Sequence, residues 1–346
     1  MNKQTIDEAI NGKQILVTGG TGSFGHEIVQ ELTRYSPSLI RIFSRDEKKQ
    51  YDMQQSFNDN RLHFTIGDVR DFRRVEECMQ GIDLVFHAAA LKQVPSCEFA
   101  PNEAVLTNIN GAENIRNAAL KCGVNTVIAI STDKAVKPVN VMGMSKAIQE
   151  RIFLQPTRME SQTKFVCVRY GNVLGSRGSV VPLFKRIICD GNPLPITHPN
   201  MTRFQLTLNQ AVQLVLQAAS VGKDGELWVR KMSSAKITSI GQVLAKGLIG
   251  SENYPQVITG MRPGEKMHEI LVSEEEMWRT EEREDYFIIP NWSKPINASL
   301  KSIEKKFKTY ASNSVYMMND EEIYELLKSN GWFDRSQQIS VPLHKV

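Results

Sequence analysis

Apolar and polar positions alternate by segment through residues 1–170. Short apolar runs at Ile15–Thr18, Leu39–Phe43, Leu62–Ile66, Leu84–His87, Val127–Ile130 and Phe165–Val168 read as strands. Apolar residues at helical spacing predict helices over Ser23–Tyr35, Pro101–Cys122 and Val141–Phe153. Strand and helix in regular alternation imply an α/β fold, a doubly wound parallel sheet. The near-continuous apolar character of the strands agrees, because such strands are covered on both faces. After Gly171 the rhythm breaks, and glycine, proline and polar residues grow denser as far as Pro199. Helical patterns return at Leu208–Ala219, at Ile240–Leu248 and near Asp320–Lys328. The pattern predicts a nucleotide-binding domain over 1–170 and a smaller substrate-binding lobe over 171–300 that shares some chain with it. A helical tail over 301–346 follows.

Composition narrows the class. A chain of 346 residues with 41% hydrophobic and 23% charged residues can bury a sizeable core. The net charge of +4, spread along the chain, is too small for a nucleic-acid binder and suits a small anionic ligand. The five cysteines form no CxxC pair and no histidine stands at ligand spacing from them. That predicts reduced thiols, no metal site and a cytoplasmic protein. Residues 1–13 lack the apolar stretch of a signal peptide, and no apolar run is long enough for a membrane span.

The first candidate chemistry is a phosphate-binding turn. Thr18-Gly-Gly-Thr-Gly-Ser-Phe-Gly25 follows the first strand and opens the first helix. Gly19 suits a tight turn, Gly22 lets backbone approach a pyrophosphate, and Gly25 lets helix and strand pack closely. Thr21, Ser23 and Phe24 complete the loop, whose helix N-terminus offers free amides to phosphate. The second strand ends in Ser44-Arg45, with Lys48 close behind, where an acidic residue usually marks NAD. This pattern favours NADP. Asp46 is also suited to capping the next helix. Asp68 and Val69 follow the third strand, where the edge and face of an adenine are held. After the fourth strand, Ala88 and Ala90 are small enough for backbone to lie against a cofactor. Ser131-Thr-Asp-Lys134 ends the fifth strand, and Met142 and Lys146 share one helix face.

These motifs resemble the extended short-chain dehydrogenase/reductase superfamily. His87-Ala-Ala-Ala-Leu-Lys-Gln-Val-Pro95, Ser131-Thr-Asp-Lys-Ala135, Arg169-Tyr-Gly-Asn-Val173, Ser176-Arg-Gly-Ser179, Met201-Thr-Arg-Phe204 and Arg262-Pro-Gly-Glu-Lys266 are similar to its polysaccharide-biosynthesis subfamily. The resemblance runs over residues 13 to 290. It implies a Rossmann-like fold, NADP, a UDP-sugar substrate and a homo-oligomer, dimer or hexamer. It also implies UDP-N-acetylglucosamine 4,6-dehydratase activity, of the type that inverts C5.

By this resemblance Asp133 is the general acid and Lys134 the general base. Lys146 and Val173 meet the cofactor, and Lys92, Asn172, Arg177, Arg203, Arg262 and Glu265 meet the sugar nucleotide. The superfamily's tyrosine is replaced by Met142, which cannot exchange a proton. Thr132, Lys134 and Lys146 are the candidates for that duty. A UDP-hexose 4-epimerase and a non-catalytic NADP-binding sensor remain the alternatives.

Overall fold

The computed structural model describes residues 3–156, 161–291, 293 and 307–334. The chain divides into two compact units. The first gathers residues 1–170, 208–231 and 270–310. Its strands β1 (Gln14–Thr18), β2 (Leu39–Ser44), β3 (Leu62–Ile66), β4 (Leu84–His87), β5 (Thr126–Ile130) and β6 (Lys164–Arg169) lie within a sheet of nine. They pair in the order 3-2-1-4-5-6, all parallel. Leu227–Arg230 adds to β6 in parallel, and Tyr286–Ile289 then adds antiparallel. This is a Rossmann-like doubly wound sheet, and the reversal of order between β1 and β4 opens a crevice at their carboxyl ends. The register sets Thr18 opposite both Phe43 and His87, so the ends of β1, β2 and β4 are level.

The strands are apolar for the expected reason. Every residue of β5 is buried, and β1 buries all but its first. Helices are set by local signals. Asp46 and Asp71 accept hydrogen bonds from the third amide of the helices Glu47–Ser56 and Phe72–Met79, and Asn140 does so for Val141–Leu154. The helical pattern over 101–122 is broken in the structure. It runs as a short α-helix, a π-helical turn at Val105–Asn110, and an α-helix at Gly111–Cys122. Burial of Thr107 and Asn108 accompanies the π turn.

The second unit gathers residues 171–207, 232–269 and 311–346. Thr202–Leu206 pairs antiparallel with Ser234–Lys236 and parallel with Asn172–Val173. Helices Val180–Cys189, Ile237–Ile249 and Asp320–Ser329 enclose a core that includes Phe184, Ile188, Leu244, Leu248, Ile323 and Leu327. The sequence pattern expects a lobe over 171–300 that shares some chain with the first domain. In the structure, residues 208–231 and 270–310 group with the first unit. Leu208–Val221 is buried over most of its length, and the strand that follows, Leu227–Arg230, pairs with β6. Residues 301–306 and 335–346 of the expected tail, and 294–300 of the expected lobe, lie outside the described residues.

Candidate functional site

The turn after β1 is built around close backbone approaches. Gly19 has φ +66°, and a Cβ there would lie 2.8 Å from the Ala89 nitrogen. A Cβ on Gly25 would fall 2.4 Å from the Gly19 carbonyl oxygen. Gly22 caps helix Ser23–Leu32 with no side-chain hydrogen bond to the first-turn amides. Those amides and the positive helix end fit a pyrophosphate. Thr21 donates its hydroxyl to Ser44 Oγ at 3.2 Å, and Phe24 stacks 6.1 Å from Tyr170.

At the end of β2, Ser44 is buried and its oxygen also accepts from Gln50. Arg45 is half exposed, with Nη1 3.4 Å from Asp68. Lys48 is turned to Asp52, 2.8 Å away, so Arg45 is the cation placed beside Ser44. Burial raises the Asp68 carboxyl, but hydrogen bonds from Arg70 and the charge of Arg45 outweigh it and leave it below its ordinary value. Val69 is buried with its side chain on Gly111, and its carbonyl accepts from Asn114.

The end of β4 holds a buried histidine. His87 Nδ1 lies 2.8 Å from Thr18 Oγ1, while Nε2 has no partner among the described residues. Burial, with a smaller push from Lys146, lowers the ring to about 3, so it stays neutral. Ala88, Ala89 and Ala90 are half-buried, and Lys92 is exposed. Asn108, from the π turn, clamps this segment: Leu91 donates its amide to Asn108 Oδ1 at 2.8 Å, and Nδ2 donates back to the Leu91 carbonyl at 3.0 Å.

The end of β5 carries the densest chemistry. Asp133 is fully buried in a tight turn. Its Oδ1 accepts from the Thr132 hydroxyl at 2.7 Å and from Lys134 Nζ at 3.0 Å, and Oδ2 has no partner among the described residues. Helix Val141–Leu154 lies directly on this turn, since a Cβ on Gly143 would meet the Lys134 carbonyl at 2.3 Å. Lys146 is buried and donates Nζ to the Ile130 carbonyl at 2.6 Å and to Gln149 at 2.7 Å. Burial lowers its ammonium to about 8, against upward pulls from Glu150 and Cys167. Met142 packs with Cys97 and Ala104 and has no polar role. Burial raises the Tyr170 phenol, which therefore offers no ready phenolate in place of a tyrosine at 142.

Three groups beneath this turn are given no role by the sequence, although Arg169 opens one of the quoted motifs. Glu150 accepts from Ser131 Oγ at 2.5 Å and from Arg169 at 2.6 and 2.7 Å. Arg169 reaches Glu276 at 2.7 and 2.8 Å on its other side. Burial works against the Arg169 charge, but Glu150 and Glu276 raise it above its ordinary value. Only the spacing of Glu150 after Lys146, one turn along the same helix, hinted at this.

The expected substrate residues other than Lys92 lie in the second unit. Arg203 is not a surface arginine. It is buried and donates to the carbonyls of Thr202, Lys266 and Met267 at 2.8–3.1 Å. It thereby holds the turn that carries Arg262 and Glu265, where Glu265 accepts from the Arg262 amide at 3.2 Å. Arg262 and Arg177 are exposed, and Asn172 and Val173 form a half-buried strand.

Comparison with known proteins agrees with this architecture. Residues 15–291 match the model of the family described as polysaccharide biosynthesis protein. A UDP-glucose 4-epimerase of Rickettsia canadensis (strain McKiel) is 46% identical over 329 residues, covering 91% of this chain and 95% of that protein. The solved structure of Pen from Bacillus thuringiensis superposes with a TM-score of 0.87 at 36% identity, covering 93% of this chain and 99% of that one. The dTDP-glucose 4,6-dehydratase DesIV from Streptomyces venezuelae, solved with NAD bound, shares the fold at a TM-score of 0.67 and 20% identity, over 73% and 86% of the two chains. The chain belongs to the polysaccharide biosynthesis protein family.

Proposed function

We propose that the protein is a UDP-N-acetylglucosamine 4,6-dehydratase that works with NADP. The observation that most supports this is the Asp133–Lys134 pair: a fully buried carboxyl with an ammonium 3.0 Å from one oxygen and, among the described residues, no partner on the other. A 4-epimerase never breaks a bond at C5, so it has no use for a paired acid and base.

The residues fit the cofactor. The amides of Gly22, Ser23 and Phe24 would hold its pyrophosphate. Ser44 and Arg45 would hold the 2′-phosphate, Asp68 and Val69 the adenine, and Lys146 the nicotinamide ribose. When bound, the cofactor would supply the redox chemistry, accepting a hydride from C4 and giving it back at C6. The protein's own part is proton transfer. Lys134 must be neutral to act as a base, and Asp133 must be protonated to act as an acid. One proton moved across their hydrogen bond creates both forms at once. Lys134 then removes the C5 proton, Asp133 protonates the departing 6-hydroxyl, and the ion pair is restored. Thr132, which donates to the same Asp133 oxygen, Lys134 and Lys146 are the candidates for the 4-hydroxyl proton. Arg177 and Arg262 would grip the diphosphate.

The second reading is a UDP-hexose 4-epimerase, favoured by the name of the Rickettsia relative. One experiment separates them. The full chain is incubated with UDP-N-acetylglucosamine and either NADP or NAD, and the nucleotide sugar is read by mass spectrometry and NMR. Loss of one water, faster with NADP, is expected. The 4-epimer at unchanged mass would sink the dehydratase reading.

A further inference from the structure

The resemblance that covers residues 13 to 290 says nothing of Trp332, yet this residue touches the segment that carries Arg177. Helix Asp320–Ser329 packs Ile323 and Leu327 into the core of the second unit. The chain then turns at Gly331, whose φ is +72°, and Trp332 donates its amide to the Leu327 carbonyl at 3.0 Å. The turn directs two rings onto the unit. Phe333 lies on Gly247, where a Cβ would fall 2.1 Å from the ring. Trp332 lies on Gly175, where a Cβ would fall 1.9 Å from Cζ2 of the indole. Buried Lys185 fastens this end: Nζ donates to the Asp334 carbonyl at 2.5 Å and stands 5.9 Å from the indole centre.

Gly175 opens the turn that presents Arg177. Gly175 and Gly178 both have left-handed φ, +73° and +74°, and Arg177 sits between them. The turn is closed by the Ser176 amide on the Val173 carbonyl and the Ser179 amide on the Ser176 carbonyl. Two glycines flanking one arginine leave that backbone many alternatives, so a fixed conformation needs a contact from outside the turn. The indole of Trp332 is that contact.

We propose that Trp332 is a positioning residue for the sugar nucleotide: seated on Gly175, its indole fixes the 175–178 turn so that Arg177 meets the UDP diphosphate. The proposal rests on the reading of Arg177 as a diphosphate ligand. The test titrates UDP into the full chain by calorimetry, with NADP affinity measured alongside as a check of the fold. Trp332→Ala is expected to weaken UDP about 10- to 100-fold, the cost of a misplaced binding group, with NADP affinity unchanged. Trp332→Phe is expected to show an intermediate loss. In an Arg177→Ala background Trp332→Ala should add little, because residues acting through one another are not additive.

Unchanged UDP affinity in Trp332→Ala, or a full additive loss in the Arg177→Ala background, overturns the proposal. If Trp332→Ala loses NADP as well, its fold is impaired and Trp332→Phe decides: unchanged UDP affinity there overturns the proposal equally. A wild-type chain that ignores UDP sinks the reading of Arg177 itself. A chain in which Arg177→Ala weakens UDP and neither Trp332 variant does sinks only the role of Trp332.

Discussion

Arg169 in the first unit and Arg203 in the second are both buried, and they are answered in different ways. Arg169 lies between two carboxylates, with every contact to Glu150 and Glu276 at 2.6–2.8 Å. Arg203 meets backbone carbonyls at hydrogen-bond distance, and the carboxylates of Glu265 and Glu269 only at 3.9 Å. The first arrangement cancels charge and makes a rigid floor beneath Ser131. The second shapes a turn and leaves more of the charge unanswered. A buried arginine is therefore no sign of a ligand by itself. What its partners are, and whether they too are charged, decides what remains for an anion. The Asp133–Lys134 pair, one strand end away from Arg169, shows the same rule from the other side, since one of its carboxylate oxygens is left without a partner among the described residues.

The sharpest break would come at that pair. Lys134→Ala is expected to slow dehydration about 10²–10⁴-fold while NADP still binds. In D₂O the wild-type product should carry deuterium at C5. A near wild-type rate in the variant would place the base elsewhere.

The two arginines can be compared directly by denaturant unfolding. Arg169→Met strands the buried Glu150 carboxylate and the partly buried one of Glu276, and should cost about 3–5 kcal/mol. Arg203→Met strands backbone carbonyls and loses only the 3.9 Å pairings to Glu265 and Glu269, and should cost about 1–3 kcal/mol. Equal losses would erase the distinction drawn above.

A smaller effect concerns His87, buried and neutral at the end of β4. Its ring is lowered to about 3 in the fold and recovers its ordinary value of about 6.5 on unfolding. Below the unfolded value the unfolded chain takes up a proton that the folded chain refuses, so stability falls as pH drops from 6.5 towards 3. At about pH 5.5 this amounts to roughly 1.4 kcal/mol relative to neutral pH. His87→Gln lacks that dependence, and its stability deficit should narrow on acidification. Parallel curves for variant and wild type would contradict the assignment.

The smallest effect is expected at Met142. Met142→Leu keeps volume within the cluster of Cys97 and Ala104, so stability should change by less than about 1.5 kcal/mol and turnover should persist. A collapse in turnover with NADP binding retained would show that the thioether itself is needed.

The strands β1 to β6 were legible because buried parallel strands are continuous apolar runs, and each lies within about a residue of its expected bounds. Helix Glu47–Ser56 was legible only at its start, through the capping Asp46, since it buries only Gln50 and Met53 and so has no apolar stripe. The π turn was hidden too, because Asn108 reads as an ordinary polar residue until Leu91 is folded against it. At the site, the glycine turn and Ser131–Lys134 stood out as motifs at strand ends. Their supports did not. Glu276 meets Arg169 across 107 residues of chain, and no local pattern records such a pairing.

The interleaving of the two units bears on how the chain is made. Residues 1–170 leave the ribosome with β1 to β6 complete, but Leu227–Arg230 must still emerge before β6 gains its outer neighbour. Until then β6 is an open edge, and Arg169 at its end has Glu150 without Glu276. At roughly 5–20 residues per second, the wait from residue 170 to Glu276 is several seconds or more. During that time a nascent chain carries a half-neutralised buried cation and an unpaired strand. Chaperone binding or early aggregation belongs to that interval rather than to the finished protein.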